Sequence, residues 1–153
     1  MIVELTGLSA AERRLTGEDP PAILELDESR DVRDIGAIRY DVAVCRTAVA
    51  LVVRGTLDLD LSFRCSRCAE FFGAHIREPA FESSRDVAPG VESVDLTDDI
   101  RETILLAFPN YPVCRADCKG LCPQCGADLS KGGCRCRPPE EFRWGAMDEL
   151  HLG

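Results

Sequence analysis

Eight of the nine cysteines in this chain form four closely spaced doublets. In chain order, the first to fourth doublets are Cys65/Cys68, Cys114/Cys118, Cys122/Cys125 and Cys134/Cys136. A C-x2-C turn points both sulfurs inward and a C-x-C places them on one face of a strand, so each doublet can supply two corners of a tetrahedral site. Gly126, Gly132 and Gly133 permit the tight backbone turns that such a site needs. The pattern therefore predicts two structural zinc ions, each held by four cysteines.

Four doublets can pair around two ions in three ways. We favour pairing the third doublet with the fourth, because only the eight residues 126–133 separate them and a compact zinc ribbon results. The first doublet would then pair with the second and tie a predicted helix to a predicted sheet. The chief alternative joins the second and third doublets, which are neighbours in sequence. Spacing alone leaves this choice open.

The compartment decides whether paired cysteines bind metal or form disulfides. Residues 1–6 lack a basic stretch followed by a long apolar one, so we expect no secretion signal. The longest apolar run, 48–53, is far shorter than the about 20 residues of a membrane helix. We therefore expect a cytoplasmic protein in which the thiols bind metal. Disulfides, an iron–sulfur cluster and dithiol redox chemistry are the alternatives, and the last lacks a thioredoxin-like βαβ context.

Alternation of apolar and polar residues predicts that the first half of the chain is antiparallel β-sheet. The clearest strand is 57–64, which forms a hairpin with 71–77 and carries the first doublet at its turn. We also predict strands at 1–7, 22–27, 38–44 and 49–54, a helical turn at 9–14, a chain turn at Gly55 and a polar loop at 83–94.

One main helix is predicted over about 97–108. An apolar residue recurs at every fourth position, as in an amphipathic helix: Leu96, Ile100, Ile104 and Phe108. Asp99 and Glu102 stand at capping-box spacing, and Pro109 ends the helix.

The predicted fold class is α+β, mainly an antiparallel β-sheet that could be barrel-like, with one main helix and a C-terminal zinc ribbon or knuckle. Residues 1–112 would form the β-rich body and residues 113–137 a cysteine-rich zinc module. Residues 138–153 would form an amphipathic segment that packs on the body.

The charge distribution argues against a general nucleic-acid binder. The net charge is -9, yet residues 112–137 carry five cations against two carboxylates, a net +3 that leaves -12 on the remainder. One zinc ion with four thiolates adds about -2 and would leave that segment near +1. We therefore expect any contact with nucleic acid to be local.

No catalytic constellation is recognisable in the sequence. We interpret His75 and His151 as structural or solvated, Cys45 as a small apolar filler or idle thiol, and the acidic pairs 98–99 and 140–141 as solvated charge. A zinc ion with four cysteine ligands has no open position for water or substrate. These features predict a non-enzymatic protein without a small-molecule substrate or a membrane partner.

Three separated motifs resemble those of the YceD family, the large ribosomal RNA subunit accumulation proteins. They are Phe63-Arg-Cys65-Ser-Arg-Cys68, Leu96-Thr-Asp-Asp-Ile-Arg-Glu102 leading into Ile104-Leu-Leu-Ala-Phe-Pro109, and the run from Cys114 to Leu129. The resemblance extends from about residue 40 to the C-terminus, with the motifs in the family's order. One departure is Leu129-Ser130, where the family pattern has Leu-Asn.

The resemblance implies a role in keeping large-subunit ribosomal RNA at normal levels, and the family has no established enzymatic activity. Some members lack the later cysteines, keep the first doublet and have histidines in place of the second, which supports pairing those two doublets. Members often lie beside a gene for a large-subunit ribosomal protein. The expected partners are thus large-subunit ribosomal RNA, a large-subunit ribosomal protein, or both.

The cations around the doublets are the residues we predict to contact RNA: Arg64, Arg67, Arg115, Lys119, Lys131 and Arg135. The alternative is that they only solvate the zinc turns. Two other functions stay open. A thiol redox switch or redox-regulated chaperone would release zinc on oxidation, whereas a zinc-ribbon transcription factor fits less well because no strongly basic surface accompanies the ribbon.

Overall fold

The computed structural model of the chain describes residues 1–26 and 31–136, so the predicted C-terminal segment 138–153 lies outside the described residues. The strands are β1 (Ile2–Glu4), β2 (Arg13–Asp19), β3 (Val32–Arg33), β4 (Ile38–Arg46), β5 (Ala50–Arg64), β6 (Phe71–Asp86) and β7 (Ser93–Asp95). The α-helix α1 spans Thr97–Leu106, and a 3-10 helix spans Pro21–Leu24. No helix of the described residues is long and apolar enough to cross a lipid bilayer.

Strand β5 is the centre of the main antiparallel sheet. One edge of β5 pairs with β4 and then, at its far end, with β3, while the opposite edge pairs with β6. Strand β2 extends the sheet beyond β4, and β1 and β7 form a separate two-stranded sheet. Within the described residues the outer strands β2 and β6 do not pair with each other, so the sheet stays open. The α+β class is confirmed, and the barrel-like alternative is wrong.

Gly55 lies inside β5, where the sequence predicted a turn between two strands. The strand passes through it without interruption, and the pairing with β6 shifts register between Gly55 and Leu57. A β-carbon at Gly55 would overlap the backbone of Asp41 and Val42 on β4. Glycine therefore permits the close approach of β4 to β5 at this bulge and does not form a turn.

Helix α1 packs against the inner face of the sheet and ends beside the first doublet. Ile100 and Ile104 are fully buried, together with the inward row of β5: Leu57, Leu59, Leu61 and Phe63. The ring of Phe63 contacts Phe108 edge to face, with centroids 5.1 Å apart. The apolar face of the helix, predicted from the residues at every fourth position, thus directs the chain that follows α1 towards the end of β5.

The start of α1 differs from the predicted capping box. The N-cap residue is Leu96, which has no capping side chain, and the Asp99 carboxylate accepts hydrogen bonds from Ser83 Oγ at 2.5 Å and from Arg85 Nε at 3.0 Å. Asp95 Oδ1 accepts a hydrogen bond from the backbone N–H of Thr97, the first residue of α1, at 2.9 Å. Asp99 therefore binds the neighbouring strand β6, whose position the sequence pattern does not reveal.

Three further local predictions are wrong. No helical turn forms at 9–14, because residues 9–12 are irregular and β2 begins at Arg13. Within the described residues, the 3-10 helix that begins at Pro21 replaces the strand predicted at 22–27. Proline fixes its own φ and lacks a donor, which favours the first turn of a helix over a sheet position. The loop predicted at 83–94 is shortened at both ends, because β6 continues to Asp86 and β7 starts at Ser93.

Candidate metal centres

The structure brings the eight doublet cysteines together in two groups of four. We name them the body group (Cys65, Cys68, Cys114, Cys118) and the ribbon group (Cys122, Cys125, Cys134, Cys136). In each group the four Sγ atoms lie within 4.8 Å of one another. This is the partition that the sequence favoured, and the neighbouring second and third doublets belong to different groups.

The body group joins the tip of the β5–β6 hairpin to the chain that follows α1. The hairpin turn is closed by hydrogen bonds from the Cys65 N–H to the Glu70 carbonyl at 2.8 Å and from the Ala69 N–H to the Cys65 carbonyl at 2.9 Å. The Ser66 N–H donates to the Pro112 carbonyl at 2.8 Å, which brings the segment before Cys114 against the turn. Two distant parts of the sequence thus meet at four thiols.

The sulfur spacing of the body group fits a tetrahedral ion. Four sulfurs around an ion at about 2.3 Å are separated by edges of about 3.8 Å. The Sγ atoms of Cys65 and Cys118 lie 3.9 Å apart, and those of Cys68 and Cys114 lie 3.8 Å apart. Disulfide sulfurs are about 2.05 Å apart, and all of these cysteines are free thiols. A tetrahedral set of four sulfurs suits zinc or an iron centre.

Backbone amides make the body group favourable for thiolate. Burial opposes ionisation of Cys65, but neighbouring backbone N–H groups outweigh burial and lower its pKa to about 6. Two of these groups, the N–H of Arg67 and of Cys114, lie 3.4 Å from Cys65 Sγ. For Cys114, burial and the adjacent thiols raise the pKa to about 12 in the metal-free group. The lowered pKa of Cys65 favours the thiolate that binds metal, whereas Cys114 must lose its proton before it can bind.

The ribbon group repeats the local turn of the body group. The Gly126 N–H donates to the Cys122 carbonyl at 2.9 Å, as Ala69 does to Cys65, and both turn residues have left-handed φ values of 72° and 61°. Backbone hydrogen bonds from the Cys125 and Gln124 amides lower the pKa of Cys122 to about 6. A hydrogen bond with Cys125, together with burial, raises the pKa of Cys136 to about 12.

The two groups differ in exposure. In the body group Cys65, Cys68 and Cys118 are buried, with Cys65 only 2% exposed. In the ribbon group Cys125 is exposed, whereas Cys134 and Cys136 are half-buried. Solvent and chelators therefore reach the ribbon group more easily.

Arg67, one of the predicted RNA contacts, binds both sides of the junction between the groups. Its Nη1 donates to the carbonyls of Ala116 at 3.1 Å and Cys118 at 3.0 Å. Its own carbonyl accepts from the Leu121 N–H at 3.1 Å, next to the ribbon group. No sequence signal marks this role, because the acceptors are backbone carbonyls some 50 residues away.

The other predicted RNA contacts fall into two classes. Arg64 donates Nε to the Ala69 carbonyl at 3.2 Å, Arg115 lies 3.4 Å from Asp117, and Lys131 lies 2.7 Å from Glu70. Lys119 and Arg135 are exposed and form no ion pair with another described residue. RNA contact by all six stays a prediction. Lys119 and Arg135 have the fewest interactions of their charged groups with the described residues.

The remaining candidate residues lie apart from both groups. His75 bridges Asp58 and Asp60 on the outer sheet face, with ring nitrogens 3.0 and 2.8 Å from their carboxylates. Cys45 is half-buried on β4. His151 and the acidic pair 140–141 lie outside the described residues.

Comparison with known proteins gives a family match and several relatives. The family model described as large ribosomal RNA subunit accumulation protein YceD matches residues 53–151. An uncharacterized protein of Mycobacterium tuberculosis is 39% identical over 133 residues, covering 76% of this chain and 64% of the relative. The chloroplastic large ribosomal RNA subunit accumulation protein YCED homolog 1 of Arabidopsis thaliana is 33% identical over 71 residues, covering 46% of this chain and 22% of that protein. No solved structure matches the chain.

Proposed function

This chain belongs to the YceD family of large ribosomal RNA subunit accumulation proteins, and we propose that it is a non-enzymatic, zinc-stabilised binding protein needed for large-subunit ribosomal RNA accumulation. The observation that carries the proposal is the pair of tetracysteine groups within the matched residues 53–151. The chain spans 64% of the length of its Mycobacterium tuberculosis relative, so the activity and partners of the whole protein are themselves part of this proposal.

Zinc is the ion that we propose for both groups. Four thiolates per ion leave no open coordination position, which suits a structural role and opposes catalysis at the metal. The ribbon group lies in a segment with few buried apolar residues, so metal binding would supply much of its folding free energy, about 10–16 kcal/mol in comparable small zinc modules. The body group would fix the exit of α1 to the sheet.

The proposed partners are large-subunit ribosomal RNA, a large-subunit ribosomal protein, or both, met in the cytoplasm. Many carboxylates of the outer sheet face are neutralised by neighbours, as in the ion pairs Arg14–Asp41, Arg39–Asp60 and Arg54–Glu82. The net charge of -9 already includes these arginines, so contact with RNA would be confined to a local patch of cations. Lys119 and Arg135 supply cations near the metal groups, and the acidic remainder suits a basic ribosomal protein.

Depletion of the protein in its own cells tests this proposal. We expect mature large-subunit RNA to fall relative to small-subunit RNA, and free large subunits to decrease in a sucrose gradient. Wild-type protein should restore both, and a Cys65→Ser variant should not, because it removes a ligand of the buried group. A Cys45→Ser variant is the matched control and should restore both. Unchanged large-subunit RNA and an unchanged ribosome profile after depletion would overturn the proposal.

The exposure of Cys125 favours a second candidate, a redox switch in the ribbon group. Peroxide would oxidise two ribbon thiolates to a disulfide, be reduced to water and release the ion. Low doses should then free one zinc per chain and expose apolar surface to a fluorescent dye. Retention of both ions at doses that oxidise Cys45 would exclude this candidate.

A further inference from the structure

A cleft of about 300 Å³ lies where the body group meets the chain segment that carries the ribbon group. The body group contributes three cysteines to its lining: Cys68, Cys114 and Cys118. The turn 128–131 of the ribbon segment contributes three further residues: Asp128, Ser130 and Lys131. Cys114 is the body cysteine that is not buried, and the cleft has room for several water molecules. The cleft is therefore a route by which solvent reaches the body thiols, and the turn 128–131 borders that route.

The ribbon group holds the turn 128–131 in shape. The Cys122 N–H donates to the Ala127 carbonyl at 2.8 Å, one residue before the turn starts. Within the turn, the Asp128 carboxylate accepts a hydrogen bond from the Ser130 N–H at 2.8 Å. The turn connects the third doublet to the fourth, so a metal ion in the ribbon group closes the loop that contains it.

One ion pair connects the turn 128–131 to the hairpin on which the first doublet lies. Lys131 Nζ lies 2.7 Å from Glu70 Oε1. Glu70 also lines the cleft, and its carbonyl accepts a backbone hydrogen bond from the first doublet at 2.8 Å. The other hydrogen bonds of the turn to described residues stay within 119–131, as does the bond from the Leu129 N–H to the Gly120 carbonyl at 2.9 Å. Loss of the ion pair would thus detach the turn from the hairpin without unfolding it.

We propose that the turn 128–131 is a lid over the body group, which the Lys131–Glu70 pair keeps closed and the ribbon ion keeps folded. The body ion then leaves only after the lid opens, so the more exposed ribbon group protects the buried one. The inference rests on the proposed function, because it takes both groups to hold zinc. Opening of the lid exposes thiols but removes none of the four ligands, so without a chelator the loaded sheet keeps its stability.

A purely electrostatic effect of Lys131 predicts a different result. A zinc ion with four thiolates has a net charge of about -2, which nearby cations stabilise. Lys131 and Arg115 both line the cleft and are cations of this kind. Glu70→Ala breaks the ion pair but keeps the Lys131 ammonium. The lid predicts faster release of the body ion in this variant, whereas charge alone predicts release that is no faster.

The test follows zinc release from the full chain after addition of TPEN, an uncharged chelator whose approach does not depend on the charge of the variant. Native mass spectrometry counts the ions, and pulses of N-ethylmaleimide with peptide mapping identify the freed cysteines. In the wild type, the ribbon cysteines should be labelled before the body cysteines. Lys131→Met and Glu70→Ala should each free the body cysteines about threefold faster, as expected for loss of one exposed ion pair. Cys134→Ser, which removes a ligand of the ribbon ion, should free them at least about tenfold faster.

Arg101→Met is the matched control, because it breaks an ion pair of the same length, 2.7 Å to Glu25, and Arg101 does not line the cleft. It should release both ions at wild-type rates. Wild-type rates in both Lys131→Met and Glu70→Ala, or simultaneous labelling of the two groups in the wild type, would overturn the lid and leave the two zinc ions in place. Faster release in Lys131→Met alone would overturn it in favour of the charge effect. Fewer than two zinc ions before TPEN is added would refute the proposed metal content and the lid with it.

Discussion

The carbonyl oxygen of Arg67 would lie 2.9 Å from a β-carbon on Gly120, closer than real β-carbons approach other atoms. Gly120 also has a φ of +75°, in the left-handed region that favours glycine. The adjacent Leu121 N–H donates to the same Arg67 carbonyl at 3.1 Å. The turn of the body group and the start of the ribbon group are therefore in direct backbone contact, and this contact requires a glycine.

Replacing Gly120 by alanine should separate the two groups. The left-handed φ and the contact with Arg67 should together cost about 2 kcal/mol of unfolding free energy. Thermal unfolding of the zinc-loaded protein measures this loss. Gly132→Ala is the matched control, because a β-carbon there would meet no atom within 4 Å and the φ of Gly132 is not left-handed. Equal midpoints for the two variants would contradict the close contact.

Arg67 should stabilise the fold more than the other cations near the metal groups. Arg67→Ala removes two charge-assisted hydrogen bonds, to the Ala116 and Cys118 carbonyls, and should lower the free energy of unfolding by about 2 kcal/mol. Arg135→Ala should change it by less than about 0.5 kcal/mol, because Arg135 is exposed and forms no ion pair with another described residue. Urea unfolding of both variants compares them, and similar losses would show that Arg67 does not hold the junction together.

Loss of one ligand should affect the two groups differently. Cys65→Ser should lower the thermal midpoint of the whole protein by about 10 °C, because the buried body group connects the sheet to the chain after α1. Cys122→Ser should leave the main transition of the β-sheet near its wild-type temperature. Two exposed or local contacts connect the ribbon segment to the hairpin, the Leu121–Arg67 hydrogen bond and the Lys131–Glu70 ion pair, and neither includes the buried core of the sheet. Cys45→Ser should change neither. Equal losses for Cys65→Ser and Cys122→Ser would mean that the two groups do not have separate roles.

Zinc loading should release protons. Cys114 and Cys136 each have a pKa raised to about 12 in the metal-free groups, so both keep their protons at neutral pH. Zinc binds the thiolate, so each such proton must leave, and affinity should fall by about tenfold per pH unit for each proton displaced as the pH decreases. Titration with zinc in weak buffer containing a pH indicator measures the release. Binding without proton release would show that the thiols are not the ligands.

The sequence predicted the metal groups better than it predicted the elements around them. Doublet spacing and the short 126–133 segment favoured the grouping that the structure shows. The alternation around Leu57 and Leu59 located the inward face of β5, because a half-buried strand leaves a period-two pattern. These features are local, so they can be read without knowing the fold.

Long-range contacts explain the failures. A glycine such as Gly55 can form a turn or permit close strand approach, and only the position of Asp41 on β4 distinguishes the two. Asp99 has the spacing of a helix cap, but its partners Ser83 and Arg85 lie on β6. No sequence pattern separates an arginine that binds distant carbonyls, as Arg67 does, from one that is free to contact RNA.

The central claim is that each chain holds two zinc ions, one in each cysteine group. Native mass spectrometry of the full chain, purified from metal-replete cells, tests it most directly. We predict a mass increase that corresponds to two zinc ions with the loss of thiol protons. One zinc ion or none on the folded, metal-replete protein would contradict the account.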